Sequence, residues 1–372
     1  MAVPFLDLVR VQAAYQSELE SALLAVARSG RYILGHEVAA FEREFAAACQ
    51  SPYAVGVSSG TDALLLALSA LGVGPGDKVL TTPFTFFATA GAVLRLGARP
   101  VFADIEEDGF GLDVEKALGA LDRTVKAVLP VHLFGGMVKL EALLAPCEEL
   151  GVPIVEDAAQ AVGARDEKGR VAGTLGAAGC FSFFPSKNLG ALGDGGAVLC
   201  RDAELAERLT RLRVHGSPEK NLHTELGGNH RLDALQAAAL RVKLHHLARD
   251  EEARRNNART YAELFRAMNL DGGPLRLPAE GPGRHVFNQY VLRAEKRDAL
   301  FAHLRGHGIG CEIYYPHPLH LQPLLADSGF NQGAFPCAER AAQDVLALPI
   351  FPGLTERELC EVVEVVSAFY QG

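Results

Sequence analysis

Between residues 53 and 200 the chain alternates short apolar runs with longer stretches of helical period. Tyr53–Val57, Lys78–Thr81, Pro100–Ala103, Lys126–Pro130 and Pro153–Glu156 are short, mostly apolar and bounded by polar or turn residues. That is the pattern of strands buried on both faces. Between them, Asp62–Leu71 and Lys139–Leu150 carry apolar residues every three or four positions, as a core-facing helix does. Strands alternating with helices predict a mostly parallel sheet covered by helices. Cys180–Phe184 and Gly196–Cys200 add two further strands around a Gly-rich turn.

From Arg231 to about Met268 the helical period runs unbroken, with Ala and Leu on one face and Arg and Glu on the other. Glu251 stands four residues before Arg255, a spacing that supports a helix. This segment predicts one long helix joining a large domain, residues 1–245 with its N-terminal helices, to a smaller one, residues 246–372. Turn residues cluster at Asp271–Pro274 and Gly281–Gly283. The remainder reads as a strand (Val286–Arg293), a helix (Lys296–His307), another strand, a Pro-rich loop (Pro316–Pro323) and a terminal helix (Thr355–Tyr370), an α+β unit.

A chain of 372 residues is long enough for two such domains. The 36 Lys and Arg against 45 Asp and Glu give a net charge of −9, so the chain lacks the basic excess of a nucleic-acid binder. An anionic substrate would need cations placed locally. No apolar run is long enough to span a bilayer, and the start lacks the basic and apolar regions of a signal peptide. Seven scattered cysteines with no Cys-x-x-Cys pair fit reduced thiols in the cytoplasm. The histidines lack zinc-ligand spacing, so no metal site is expected.

Four segments at predicted strand ends could carry chemistry. In Phe183-Phe-Pro-Ser-Lys187-Asn-Leu-Gly190 a lysine follows an apolar strand. It is either a surface lysine in a loop or a desolvated amine able to condense with a carbonyl. In Val155-Glu-Asp157-Ala-Ala-Gln160 the Asp is either a helix cap or a partner for a protonated pyridine nitrogen, with Gln160 in reach of the same ligand. Ser58-Ser-Gly60-Thr61-Asp62 is a helix N-cap or a phosphate cup. Pro83-Phe84-Thr85-Phe86-Phe87 supplies core aromatics, one of which could stack on a flat cofactor. Together the four ask for pyridoxal phosphate (PLP).

These residues resemble the DegT family of PLP-dependent nucleotide-sugar aminotransferases, in the order Ser-Gly-Thr-Asp-Ala, Thr-Pro-Phe-Thr-Phe-Phe-Ala-Thr, Glu-Asp-Ala-Ala-Gln-Ala, Ser-Phe-Phe-Pro-Ser-Lys-Asn-Leu-Gly and Asn-His-Arg-Leu-Asp-Ala-Leu-Gln-Ala. The similarity runs from Phe5 to Ile350. It implies the α/β architecture of PLP-transferase fold type I. It also implies a reaction that moves an amino group from glutamate to a keto-sugar on a nucleoside diphosphate. Lys187 matches the Schiff-base lysine, Asp157 the partner of the pyridine nitrogen and Gln160 the neighbour of the cofactor's phenolic oxygen. Gly60, Thr61 and Ser182 match phosphate ligands, and Phe86 matches the stacking aromatic. Asn229 matches a residue that reaches the phosphate from the other subunit, which implies a homodimer with shared sites. Tyr32, Ser186, Arg231 and Tyr315 match positions that touch the nucleotide-sugar in some members, and His320 lies in the same loop as Tyr315.

The segments Gly30–Gly35 and Tyr314–Pro323 look closest to members that aminate a 3-keto sugar, with the 4-keto group similar. Read without the family, Arg231 is a cation at a helix start, where the macrodipole disfavours it. Two other readings stand beside this one. A sugar dehydratase of the same family has histidine where this chain has Lys187. A regulatory protein would keep the fold without the chemistry.

Overall fold

The computed structural model describes residues 2–371. Seven strands occupy the first two thirds of the chain: β1 (Tyr53–Val57), β2 (Lys78–Thr81), β3 (Arg99–Phe102), β4 (Val125–Leu129), β5 (Val155–Asp157), β6 (Ala178–Ser182) and β7 (Gly196–Cys200). They pair in two groups, β1-β7-β6-β5 and β3-β2-β4. Parallel bridges Val128–Ile154 and Val131–Asp157 join β4 to β5, with Asp157 N–H donating to Pro130 C=O at 2.9 Å. One continuous sheet results, in the order β1-β7-β6-β5-β4-β2-β3. Only β7 runs against its neighbours.

Both faces of the sheet are buried, which is why the strands lack polar alternation. On one face the helices Gly60–Ala70, Ala88–Arg95 and Ala203–Leu212 pack on Val55, Val57, Cys180 and Val198. On the other, Gly35–Ala48 and the first turns of a long helix pack on Phe181 and Phe183. Phe45 meets both rings edge-on, with centroids 5.2 and 5.3 Å away. Edge-to-face pairs contribute about 0.5–1.5 kcal/mol beyond the area they bury.

The long helix spans Ala234–Ala267, 34 residues. At about 1.5 Å per residue it is roughly 50 Å long. Its start packs in the large domain, while Tyr261 and Phe265 lie in a second core with three antiparallel strands. These are β8 (Leu275–Arg276), β9 (Tyr290–Ala294) and β10 (Val345–Leu348), in the order β10-β9-β8. The helices Arg297–Gly306 and Glu356–Gln371 complete the α+β unit.

Three expectations shift. The long helix begins three residues after Arg231, because residues 229–233 run extended beside the sheet: Val57 bridges Arg231, and Ser58 N–H donates to His230 C=O at 3.0 Å. The strand expected from Val286 begins at Tyr290. Its first residues bond a turn of the large domain instead, with Val286 N–H on Gly135 C=O at 3.0 Å. The N-terminus packs on the small unit: Val3 N–H donates to Gly308 C=O at 3.0 Å, Val3 lies in the second core, and Arg10 pairs with Glu358 at 2.8 Å. Among the described residues no helix is long and apolar enough to cross a membrane.

Candidate functional site

The sheet delivers all four expected segments to one end, because β1, β2, β5 and β6 all point the same way. Open α/β sheets place ligands at such carboxyl ends. Asp157 is the last residue of β5 and is buried. Its Oδ2 accepts from Thr89 Oγ1 at 2.8 Å, and its Oδ1 accepts from Ala159 N–H at 3.2 Å. Burial pushes the Asp157 pKa up, against the pull of these donors and of the Lys187 charge.

Lys187 lies in a tight turn after β6. Its N–H donates to Phe184 C=O at 2.8 Å, and Ala191 N–H returns to Phe183 C=O at 2.7 Å. Gly190 is required there, since a Cβ would stand 2.4 Å from Pro185 O. Burial pushes the Lys187 pKa down from 10.5 to about 8, and the Asp157 charge opposes the shift. A substantial neutral fraction near neutral pH makes the amine a nucleophile and a proton acceptor.

This has a measurable consequence in the cofactor-free protein. With a folded pKa of about 8 below the ordinary 10.5, the buried ammonium costs stability below pH 8, and the cost fades as the pH rises to 10.5. Lys187→Met removes the charge with little change in shape. Relative to that variant, the wild type should gain roughly 2–3 kcal/mol between pH 8 and 10.5. Denaturant unfolding of both apoproteins across this range measures it; parallel pH curves would mean that Lys187 is not desolvated.

The start of the helix Gly60–Ala70 forms a cup. Ser59 caps it by accepting from Asp62 N–H at 3.1 Å, which leaves the Gly60 and Thr61 amides at the open N-terminus. A Cβ on Gly60 would meet Ser182 Cβ at 2.6 Å, so glycine alone lets the end of β6 close against this helix. The cup therefore gathers two backbone amides and the hydroxyls of Thr61 and Ser182, a set suited to phosphate. Asp62 is occupied elsewhere, accepting from Ser58 Oγ at 2.5 Å and facing His230 at 3.2 Å.

Gln160 bridges two elements: Phe134 N–H donates to its Oε1 at 2.6 Å, and its Nε2 donates to Tyr315 OH at 3.3 Å. Tyr315 thus lies beside Gln160, with its ring 6.2 Å from Phe86. Of the aromatics after β2, Phe84 is core, whereas Phe86 is 58 % exposed and free to stack. Tyr32 is exposed and close to Arg231, since Ala234 N–H donates to Tyr32 C=O at 2.9 Å and Ile33 bridges Asp233. Arg231 is half-buried, and among the described residues no carboxylate is found paired with its guanidinium. Ser186 is half-buried in the Lys187 turn. Asn229 is exposed at the foot of a protruding segment that also exposes Leu222 and Leu226.

His320 is placed otherwise. It is buried, its Nε2 lies 3.0 Å from Glu339, and its ring packs edge-on against Phe335. Its loop is tied to the turn after β2, where Leu319 N–H donates to Pro83 C=O at 2.6 Å.

Sequence reading missed the support around Asp157. Thr89 is one part, and its four-residue spacing from Thr85 was visible in the sequence. The other is a fully buried pair, His132 Nε2 to Glu156 at 2.8 Å. The Glu156 carboxylate also accepts the N–H groups of Gly173, Leu175 and Gly176 at 2.7–2.8 Å. No local pattern announces those partners. A cleft of about 560 Å³ lies between the loops around Phe110, Met137, Arg165 and Pro278, with Phe134 on its wall.

The sequence profile of the DegT/DnrJ/EryC1/StrS aminotransferase family matches residues 14–367. A "pleiotropic regulatory protein" of Geobacillus stearothermophilus is 47% identical, covering 100% of this chain and 99% of its own. A UDP-N-acetyl-3-dehydro-alpha-D-glucosamine 3-aminotransferase of Acidithiobacillus ferrooxidans is 41% identical over 100% of this chain and 99% of its own. The crystal structure of S. venezuelae DesV in complex with a ketimine intermediate superposes with a TM-score of 0.95 at 42% identity, covering 100% of this chain and 99% of that one.

Proposed function

We propose that this chain, which belongs to the DegT/DnrJ/EryC1/StrS aminotransferase family, moves an amino group from glutamate to the 3-keto group of a sugar carried on a nucleoside diphosphate. The chain is an aminotransferase, and PLP is its cofactor. The observation that carries the proposed site is a desolvated amine, Lys187, and a buried carboxylate, Asp157, near enough to feel each other's charge, at the sheet end that also holds the Gly60 cup. These residues fit PLP: the cup takes its phosphate, Asp157 its ring nitrogen, Gln160 its phenolic oxygen, Phe86 its ring face and Lys187 its aldehyde carbon.

Bound PLP supplies an aldehyde that exchanges carbonyl for amine and a ring that accepts electrons. Asp157 keeps the proton on the ring nitrogen. The Lys187 amine takes the proton from the substrate carbon and returns it. Arg231, which has no carboxylate partner among the described residues, receives the diphosphate in this reading through two parallel hydrogen bonds. Tyr32, Ser186 and Tyr315 line the approach. Asn229 completes the phosphate site of a second copy, an arrangement that its exposure at the foot of a protruding segment supports. A cytoplasmic location is part of the same reading, and the scattered, unpaired cysteines support it.

The name of the Geobacillus relative, a pleiotropic regulatory protein, favours a second reading, a regulatory protein on this fold. One experiment separates the two. The holoprotein is mixed with glutamate, and 2-oxoglutarate is measured; nucleoside-diphosphate sugars with 3-keto or 4-keto groups are then added and scored for amine product. Stoichiometric 2-oxoglutarate followed by a 3-amino sugar is the expected result. No 2-oxoglutarate would favour regulation, and a 4-amino product would move the site of amination.

A further inference from the structure

The Asp157 carboxylate does not face the site alone. Thr89 Oγ1 lies 2.8 Å from its Oδ2, and Thr85 Oγ1 lies 3.1 Å from Thr89 Oγ1. Both are buried, Thr89 at 1 % and Thr85 at 3 % exposed. The direction of each bond follows from what the groups can do. An ionised carboxylate only accepts, so Thr89 donates. The Thr89 oxygen then offers its lone pairs to the Thr85 hydroxyl, which donates in turn. A hydroxyl already polarised by a second hydroxyl is a stronger donor to the carboxylate.

We propose that Thr89, backed by Thr85, is a positioning residue that holds the Asp157 carboxylate as an aimed acceptor for the cofactor's ring nitrogen. Each carboxylate oxygen has about two acceptor directions. One on Oδ2 is taken by Thr89 and one on Oδ1 by Ala159 N–H, so the carboxylate can neither rotate nor withdraw, and acceptor directions remain for the ring. Burial disfavours the charged form of such a carboxylate, and the hydroxyl chain offsets that cost. Thr89 lies in the first turn of the helix Ala88–Arg95, and its N–H donates to Phe86 C=O at 3.3 Å. The turn that leads into this helix therefore carries the residue proposed to stack on the ring, and the helix's own first turn carries the grip on Asp157. A threonine in a helix often spends its hydroxyl on the carbonyl four residues back. Here Thr89 meets the Thr85 side chain at that spacing and points its proton at Asp157.

The inference rests on the PLP reading of the site, and its test keeps the two apart. Apoprotein is titrated with PLP and with its 1-deaza analogue, in which carbon replaces the ring nitrogen. Thr89 acts only through that nitrogen, so Thr89→Val should weaken PLP binding by about three- to tenfold while changing analogue binding little. Thr89→Ser, which keeps the hydroxyl, should restore wild-type affinity, and Thr85→Val should weaken PLP by about threefold. Wild-type protein that fails to bind PLP would overturn the cofactor site itself. Equal losses for PLP and the analogue would make Thr89 a packing residue and overturn the relay, as would undiminished PLP binding by Thr89→Val. Should Thr89→Val fail to fold, Thr85→Val decides: no selective loss for PLP overturns the relay.

Discussion

Lys187→Ala is expected to lose the visible absorbance of lysine-bound cofactor and to lower turnover by on the order of 10⁴-fold or more. Two functions disappear together: covalent attachment, and the base that moves the substrate proton, the second of which alone contributes about 10²–10⁴. The protein should remain folded. At neutral pH the buried ammonium is a cost, so deleting it removes an unfavourable charge along with some packing. PLP should still bind non-covalently through the Gly60 cup and the Phe86 ring. Spectra and single-turnover assays with glutamate measure both losses. A variant with undiminished transamination would remove Lys187 from the chemistry.

The strands were legible because their surroundings made them uniform. Buried on both faces, β1, β2 and β7 read as short apolar runs and appear where expected. The same runs located the candidate segments: Asp157 ends β5, and Gly60 and Lys187 follow β1 and β6 within a few residues. Arg231 was misread as a helix start because helical period says nothing about the backbone bonds that hold residues 229–233 beside β1. The contact of His320 with Glu339 was not legible, because its own loop does not reveal that partner. Val3 joins the far end of the chain at Gly308, and Thr89 reaches Asp157 across 68 positions. Such contacts arise from chain topology, and no window of a dozen residues contains them. Thr89 could have been suspected from its spacing to Thr85, but only the fold reveals which carboxylate the pair serves.

Asp157→Asn should leave PLP bound within about tenfold and slow the glutamate half-reaction by roughly 10²–10⁴. The orientation of the new amide follows from its two fixed neighbours. Ala159 N–H can only donate, so the amide oxygen must stay at the Oδ1 position. The nitrogen then takes the Oδ2 position, where the Thr89 hydroxyl can rotate to accept. The remaining amide hydrogen points into the site, and a donor now faces the ring nitrogen where an acceptor stood. The nitrogen answers by giving up its proton, and the ring loses the charge that draws electrons from the reacting carbon. An opposite charge nearby shifts a pKa by about one to three units, and the electronic penalty on the proton-transfer step follows from that loss. The damage should therefore fall on the rate at saturating glutamate and leave its apparent affinity nearly unchanged. If Asp157 merely capped the turn after β5, the variant would lose thermal stability and keep its rate. Stopped-flow measurement of the half-reaction, beside the melting temperature of the same protein, distinguishes the two outcomes.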